Sequence, residues 1–218
     1  MNDPYVYSNG TLKNKFNINN YDELRKLEAD ICFINLIDID GKFDNEKIDE
    51  NLIKNIHKYI FSDIFIWAGE YRTVPIFKSE RVLAGLSITY SDSKKIDTEL
   101  KNRIMDLNKT NWPLDDLETL SILFARKIAL LWRVHPFRDG NTRTILVFSY
   151  IFAKKNNFPF DTKLFISELN NVYKENKVMD SVRDRFVIAS LDDKDYPEVQ
   201  YLAKMFYNAI KKEKYKIK

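Results

Sequence analysis

Cysteine is all but missing from this chain. The single Cys32 excludes an intrachain disulfide, and with only two histidines beside it a Cys/His zinc cluster is excluded as well. Glycine and proline are scarce, at five and six residues, and punctuation that sparse between long stretches of 3.6-residue periodicity predicts a mostly helical fold. A large excess of one charge is missing too. Lysine and arginine outnumber aspartate and glutamate by only 35 to 32, so no whole-molecule positive field for nucleic acid is expected. No segment approaches the roughly 18 uninterrupted apolar residues of a membrane span. The start, Met1-Asn2-Asp3-Pro4, has no basic stretch leading into an apolar one. The expectation is a soluble, cytoplasmic protein with neither membrane nor nucleic acid as partner.

What is present is enough apolar sequence, 44% of residues, to fill a core. No linker, repeat or low-complexity stretch divides the chain, so one domain over 1–218 is expected, with its core at about 4–205 and a basic, solvated end at 206–218. Asn20-Tyr21-Asp22-Glu23 has the form of a helix cap, and Leu24, Leu27, Ile31 and Ile34 follow on one face. Further stripes run through Ile48, Leu52, Ile56 and Ile60, and through Ile96, Leu100, Ile104 and Leu107. A long helix is predicted after Pro113, ending near His135-Pro136 because proline pushes the preceding residue out of the helical region. Another follows Gly140, and further helices fit 162–175, 178–190 and 196–212. The exception is 71–90, where Tyr71 to Phe77 and Val82 to Tyr90 are rich in strand formers and predict a β-hairpin lying against the helical body.

Between the two most apolar helices lies His135-Pro136-Phe137-Arg138-Asp139-Gly140-Asn141-Thr142-Arg143. The first amides of a helix lack intrahelical acceptors and carry the positive end of its dipole, so the turn can hold an anion. Gly140 permits positive φ and close approach to the backbone. The Asn141 amide can donate to a phosphate oxygen, Arg143 offers a planar fork, and Asp139 is a hard oxygen ligand suited to Mg²⁺. His135, with an ordinary pKa near ~6.5, can take a proton from an attacking hydroxyl. Phe137 is expected to pin the loop to the core. His57, among Ile56 and Ile60, reads as a structural histidine, and Trp67 and Trp132 as core residues whose N–H groups find a partner.

The nine-residue stretch resembles the Fic domain signature, which typically reads HPFx[D/E]GNGRxxR. Two further stretches support the likeness, Ile56 to Asp63 continuing to Trp67-Ala68-Gly69-Glu70-Tyr71-Arg72-Thr73, and the N-terminal Tyr5-Val6-Tyr7 with Thr11 to Lys15. The resemblance implies an all-α Fic fold with a protruding β-hairpin flap. It implies transfer of a nucleotide, usually AMP from ATP, to a Ser, Thr or Tyr hydroxyl of a target protein. In that scheme His135 is the general base, Asp139 holds Mg²⁺, Gly140, Asn141 and Thr142 line the phosphate nest, and Arg143 grips the distal phosphates. The target would register on the hairpin at about 74–90. Two positions depart from the pattern: Thr142 stands where glycine is common, and Leu146 where a second arginine would meet the γ-phosphate. These departures keep open a nucleotide-binding module without catalysis, and transfer of a different phosphate-containing group. No glutamate follows a Ser or Thr by four residues, so the inhibitory helix of many members is not encoded, and a separate small antitoxin protein is the implied restraint.

Overall fold

The computed structural model describes residues 3–159, 181–191 and 198–216, with backbone alone from 210 onward. Among them are seven α-helices: α1 Tyr21–Ile37, α2 Glu50–Phe61, α3 Ile96–Lys109, α4 Leu117–Val134, α5 Asn141–Lys155, α6 Val182–Ala189 and α7 Gln200–Lys216. The helix expected at 162–175 lies outside the described residues, and α6 and α7 occupy the ground of the last two expected ones.

Helix starts follow local chemistry. The Asn20 side chain accepts from the Glu23 amide, Asp49 from Asn51 and Leu52, Asp116 from Thr119 and Ser181 from Asp184, each satisfying amides that the helix itself cannot. Helix α4 packs against α3, α5, α6 and α7, and α5 also lies on α2 and α6. Every residue of α5 from Asn141 to Ala153 is buried. Two of its polar members turn back on the helix, Thr144 and Ser149 donating to the carbonyls of Gly140 and Ile145. One apolar cluster takes residues from all seven helices. At one end of it the rings of Trp112, Phe124, Phe152 and Phe158 pack edge to face and offset, about Phe124.

The expected β-hairpin is corrected in kind. The chain does reverse between 74 and 90, yet among the described residues it forms no strand ladder there. Two backbone bonds cross the reversal, Glu80 N–H to the Leu86 carbonyl and Gly85 N–H to the Glu80 carbonyl, both at 3.0 Å, and a 3₁₀ turn at Arg81–Leu83 forms the tip. The physical reason is that side chains take over the work of the ladder. The buried Arg72 guanidinium donates to Val74 and Ser91, the two legs of the reversal, and to the His135 carbonyl. At the far end Glu80 pairs with Arg183, and Arg81 with Asp184, both on α6. The flap is thus an irregular loop stapled at its base and moored at its tip.

Candidate functional site

Helix α4 ends on His135, whose backbone sits in the left-handed region at φ 51°, ψ 60°. That conformation turns the chain sharply into Pro136 and buries the imidazole completely. Its Nδ1 lies 3.3 Å from the Trp132 carbonyl. A carbonyl can only accept, so the proton sits on Nδ1 and Nε2 carries the lone pair. That Nε2 is buried and has no hydrogen-bond partner. Burial, with the Arg183 and Lys78 cations nearby, holds the His135 pKa well below its ordinary value, so the ring is a neutral base at pH 7. The Tyr90 ring lies over it at 4.1 Å and the Trp132 ring meets it edge-on at 4.8 Å.

The loop after His135 is held by the second histidine. His57 Nε2–H donates to the Asp139 carbonyl at 3.0 Å, and its Nδ1 accepts from the Gly69 amide at 2.9 Å. Its ring stacks on Phe137 at 3.8 Å. Burial first of all depresses its pKa to about 3, so it stays neutral and keeps both bonds. The structural reading of His57 and the pinning role of Phe137 both agree with this geometry. Of the two tryptophans, Trp132 finds a partner in Thr142, whereas the Trp67 N–H is buried without one.

Gly140 sits at φ 78° as the residue before α5. A Cβ there would lie 2.4 Å from the Phe61 ring, so what approaches this backbone closely is the core rather than a ligand. No side chain caps α5 beyond Gly140, and the first intrahelical bond is Thr144 N–H to Gly140. The amides of Asn141, Thr142 and Arg143 precede it and have the outward geometry of an anion site.

Two side chains are committed otherwise than expected. The Asn141 amide closes the loop on itself, donating to the Phe137 carbonyl and accepting from the Phe137 N–H, both at 2.9 Å. Any contribution it makes to a phosphate is through its backbone. The Thr142 hydroxyl accepts from Trp132 Nε1 at 3.1 Å and is likewise turned into the core. Thr142 lies inside a regular helix, so a β-branched residue is tolerated there without positive φ.

Asp139 and Arg143 face a cavity of about 470 Å³ between α1, the flap and the loop. Leu12, Glu28, Cys32, Lys78, Arg138 and Arg183 contribute to its wall. Burial alone would raise the Asp139 carboxyl. Lys78 at 3.2 Å, the Gly140 amide at 2.7 Å and the more distant Arg143 outweigh it and hold the group well below the usual carboxylate range. Arg143 stacks over Phe61 at 4.8 Å, pairs with Glu28 of α1 and donates to Cys32 Sγ at 3.0 Å. Burial pushes the Cys32 thiol up to about 12, so it is an inert wall. Leu146 is fully buried in the core and does not line the cavity. His135 is not in the cavity wall either; it lies under Tyr90 at the flap's base.

The arrangement therefore combines a neutral base, an uncapped helix start and a cavity with five basic residues around the carboxylates of Asp139 and Glu28. Among the described residues no cluster of three or more His, Cys, Asp or Glu is built for a metal. One exposed-edge carboxylate fits a magnesium ion that completes its shell from phosphate oxygens and water. Arg72, Tyr90, Lys78 and Glu28 were not singled out as site residues from sequence. Each reaches the site across more than 40 positions of chain, and no local pattern marks them.

Two curated relatives carry the words protein adenylyltransferase in their names. VbhT of Bartonella schoenbuchensis is 27% identical over 73% of this chain and 32% of its own length, and a protein of Bartonella henselae is 27% identical over 95% and 40%. The chain thus spans between about a third and two fifths of these relatives' length. The crystal structure of BepC from Bartonella tribocorum, described with bound AMPPNP, is 20% identical and superposes with a TM-score of 0.66 over 94% of this chain and 95% of that one. At that identity the likeness speaks for the fold. Residues 47–153, which hold both histidines and the whole loop, match the model of the Fic/DOC family. By that match and these relatives, the chain belongs to the Fic/DOC family.

Proposed function

We propose that the chain transfers AMP from Mg²⁺–ATP to a hydroxyl of a target protein. The observation that carries this reading is the His135 Nε2 lone pair, buried, unpartnered and neutral, six residues ahead of a helix start that no side chain caps. The names of the relatives and the nucleotide bound to BepC support it. Nε2 takes the proton of the attacking hydroxyl. The new bond forms from that oxygen to the α-phosphorus, the bond to the bridging oxygen breaks, and pyrophosphate leaves with the electron pair. The α5 amides and the cavity's cations receive the phosphates, and Asp139 supplies the protein ligand to magnesium. The metal, when bound, neutralises charge on the polyphosphate. Tyr90 moves aside when the target arrives, and the target lies along the flap at 74–90, where Phe77 and Leu86 are exposed. A small antitoxin remains part of the reading, with the exposed Phe33, Ile34 and Ile37 of α1 as its seat.

The test is transfer of labelled AMP to proteins of a lysate, wild type against His135→Ala, at matched fold and nucleotide affinity. Transfer should fall by about 10²-fold or more in the variant; label that persists would remove His135 from the chemistry. A second reading is favoured by the commitments of Thr142 to Trp132 and Arg143 to Glu28: a module that binds nucleotide without transferring it. Measurable binding with no transfer from ATP, or from a panel of other nucleotides, selects it.

A further inference from the structure

We propose that Lys78 is a polyphosphate-binding residue delivered by the flap, whose ammonium leaves Asp139 to the metal and moves onto the phosphate chain when the nucleotide binds. This rests on the nucleotide reading above and names a contact within it. The starting observation is a vacancy in charge: the position of the family's second arginine is Leu146, which is fully buried in the core. Some other cation must meet the distal phosphates, and the cavity wall offers Arg25, Lys78, Arg138, Arg143 and Arg183.

Their present engagements separate them. Arg138 is paired with Asp3, Arg143 with Glu28 and Arg183 with Glu80, so each would have to abandon a carboxylate that gains nothing in return. Arg25 is on an exposed position of α1, where water screens it. Lys78 alone is paired with the carboxylate that magnesium would claim, at 3.2 Å from Asp139. With magnesium held by Asp139, the ammonium would face like charge and give up that carboxylate. Lysine has a flexible four-carbon stem and can follow the charge to a neighbouring phosphate without disturbing the backbone. Its side chain is only 18% exposed, so the contact forms in a poorly screened place. Both ends of the flap are fixed, by Arg72 at the base and by Glu80 at the tip, which sets Lys78 over the cavity before any ligand arrives.

The experiment is calorimetric titration of ATP, ADP and AMP in Mg²⁺ buffer, with folding verified by circular dichroism. Lys78→Met removes charge and donor, and Lys78→Gln keeps a donor toward Asp139 without charge. Both should lose about tenfold in affinity for ATP and ADP and less than about twofold for AMP. Lys78→Arg should keep most of the affinity. An equal loss for all three nucleotides makes Lys78 a prop of the flap and overturns the proposal. Wild-type affinity in both Met and Gln variants overturns it as well. A wild-type chain that binds none of the three removes the nucleotide reading itself, and this assignment with it.

Discussion

His57 shows how one uncharged side chain can carry a loop. It spends both ring nitrogens on backbone groups and a face on Phe137, and the bond that Nδ1 accepts from Gly69 requires the neutral ring. Its pKa, about 3 folded against an ordinary 6.5, means that the unfolded chain binds the extra proton between those values. The contribution is complete above pH 6.5 and is lost progressively as pH falls towards 3. His135, depressed in the same direction, adds to the same slope. Urea midpoints followed from pH 7.5 to 4.5 should decline at up to ~1.4 kcal/mol per unit for each histidine. His57→Gln should flatten part of that decline while lowering stability at pH 7.5. An unchanged slope would show that the ring is not held neutral. Gly140 is the other residue with no alternative. Alanine there meets both the φ of 78° and the Phe61 ring, and a loss of roughly 2–4 kcal/mol is expected from the urea midpoint.

At the scale of elements, the flap is a loop whose shape is dictated from outside. Arg72→Met deletes three carbonyl contacts, two to the flap's legs and one to His135. Hydrogen exchange of the amides of 76–88 should accelerate by about tenfold or more, while α4 and α5 keep their protection. Exchange that speeds up everywhere would mean that Arg72 holds the core rather than the flap. The same element explains what local reasoning could and could not read. Helix positions were legible because the apolar stripe of Leu52, Ile56 and Ile60 and caps such as Asn20 act within one or two turns. The nine-residue turn was legible for the same reason. The missing strand ladder was not: Val74, Ile76 and Ile88 have strand propensity, but Arg72 had already taken the Val74 and Ser91 carbonyls and the tip is anchored to α6. Asn141 and Thr142 open α5, and their side chains turn away from the expected phosphate nest. Their side-chain partners, Phe137 and Trp132, are set by how the turn closes between α4 and α5, which residue spacing does not reveal.

For the whole molecule the telling link is between α1 and α5, where Glu28 and Arg143 meet across 115 positions of chain. The pair is nearly buried, at 12% and 8% side-chain exposure, so its two members matter unequally. Glu28→Ala leaves the guanidinium without its carboxylate and should cost roughly 2–4 kcal/mol in the urea midpoint. It also removes a negative charge from the cavity wall, so the affinity for ATP should rise by about tenfold. Stability and affinity moving in opposite directions is the signature; a fall in both would make the pair a purely structural tie.

The tyrosine ring resting on the imidazole has one more consequence. On the proposed reading, a base sealed from solvent cannot activate a stray water molecule, so the idle protein should hardly split ATP. Only a visitor long enough to lever Tyr90 from its seat would switch the chemistry on. The rate of ATP loss without a target, compared between wild type and Tyr90→Ala, measures how well that seal holds, and the variant should leak more.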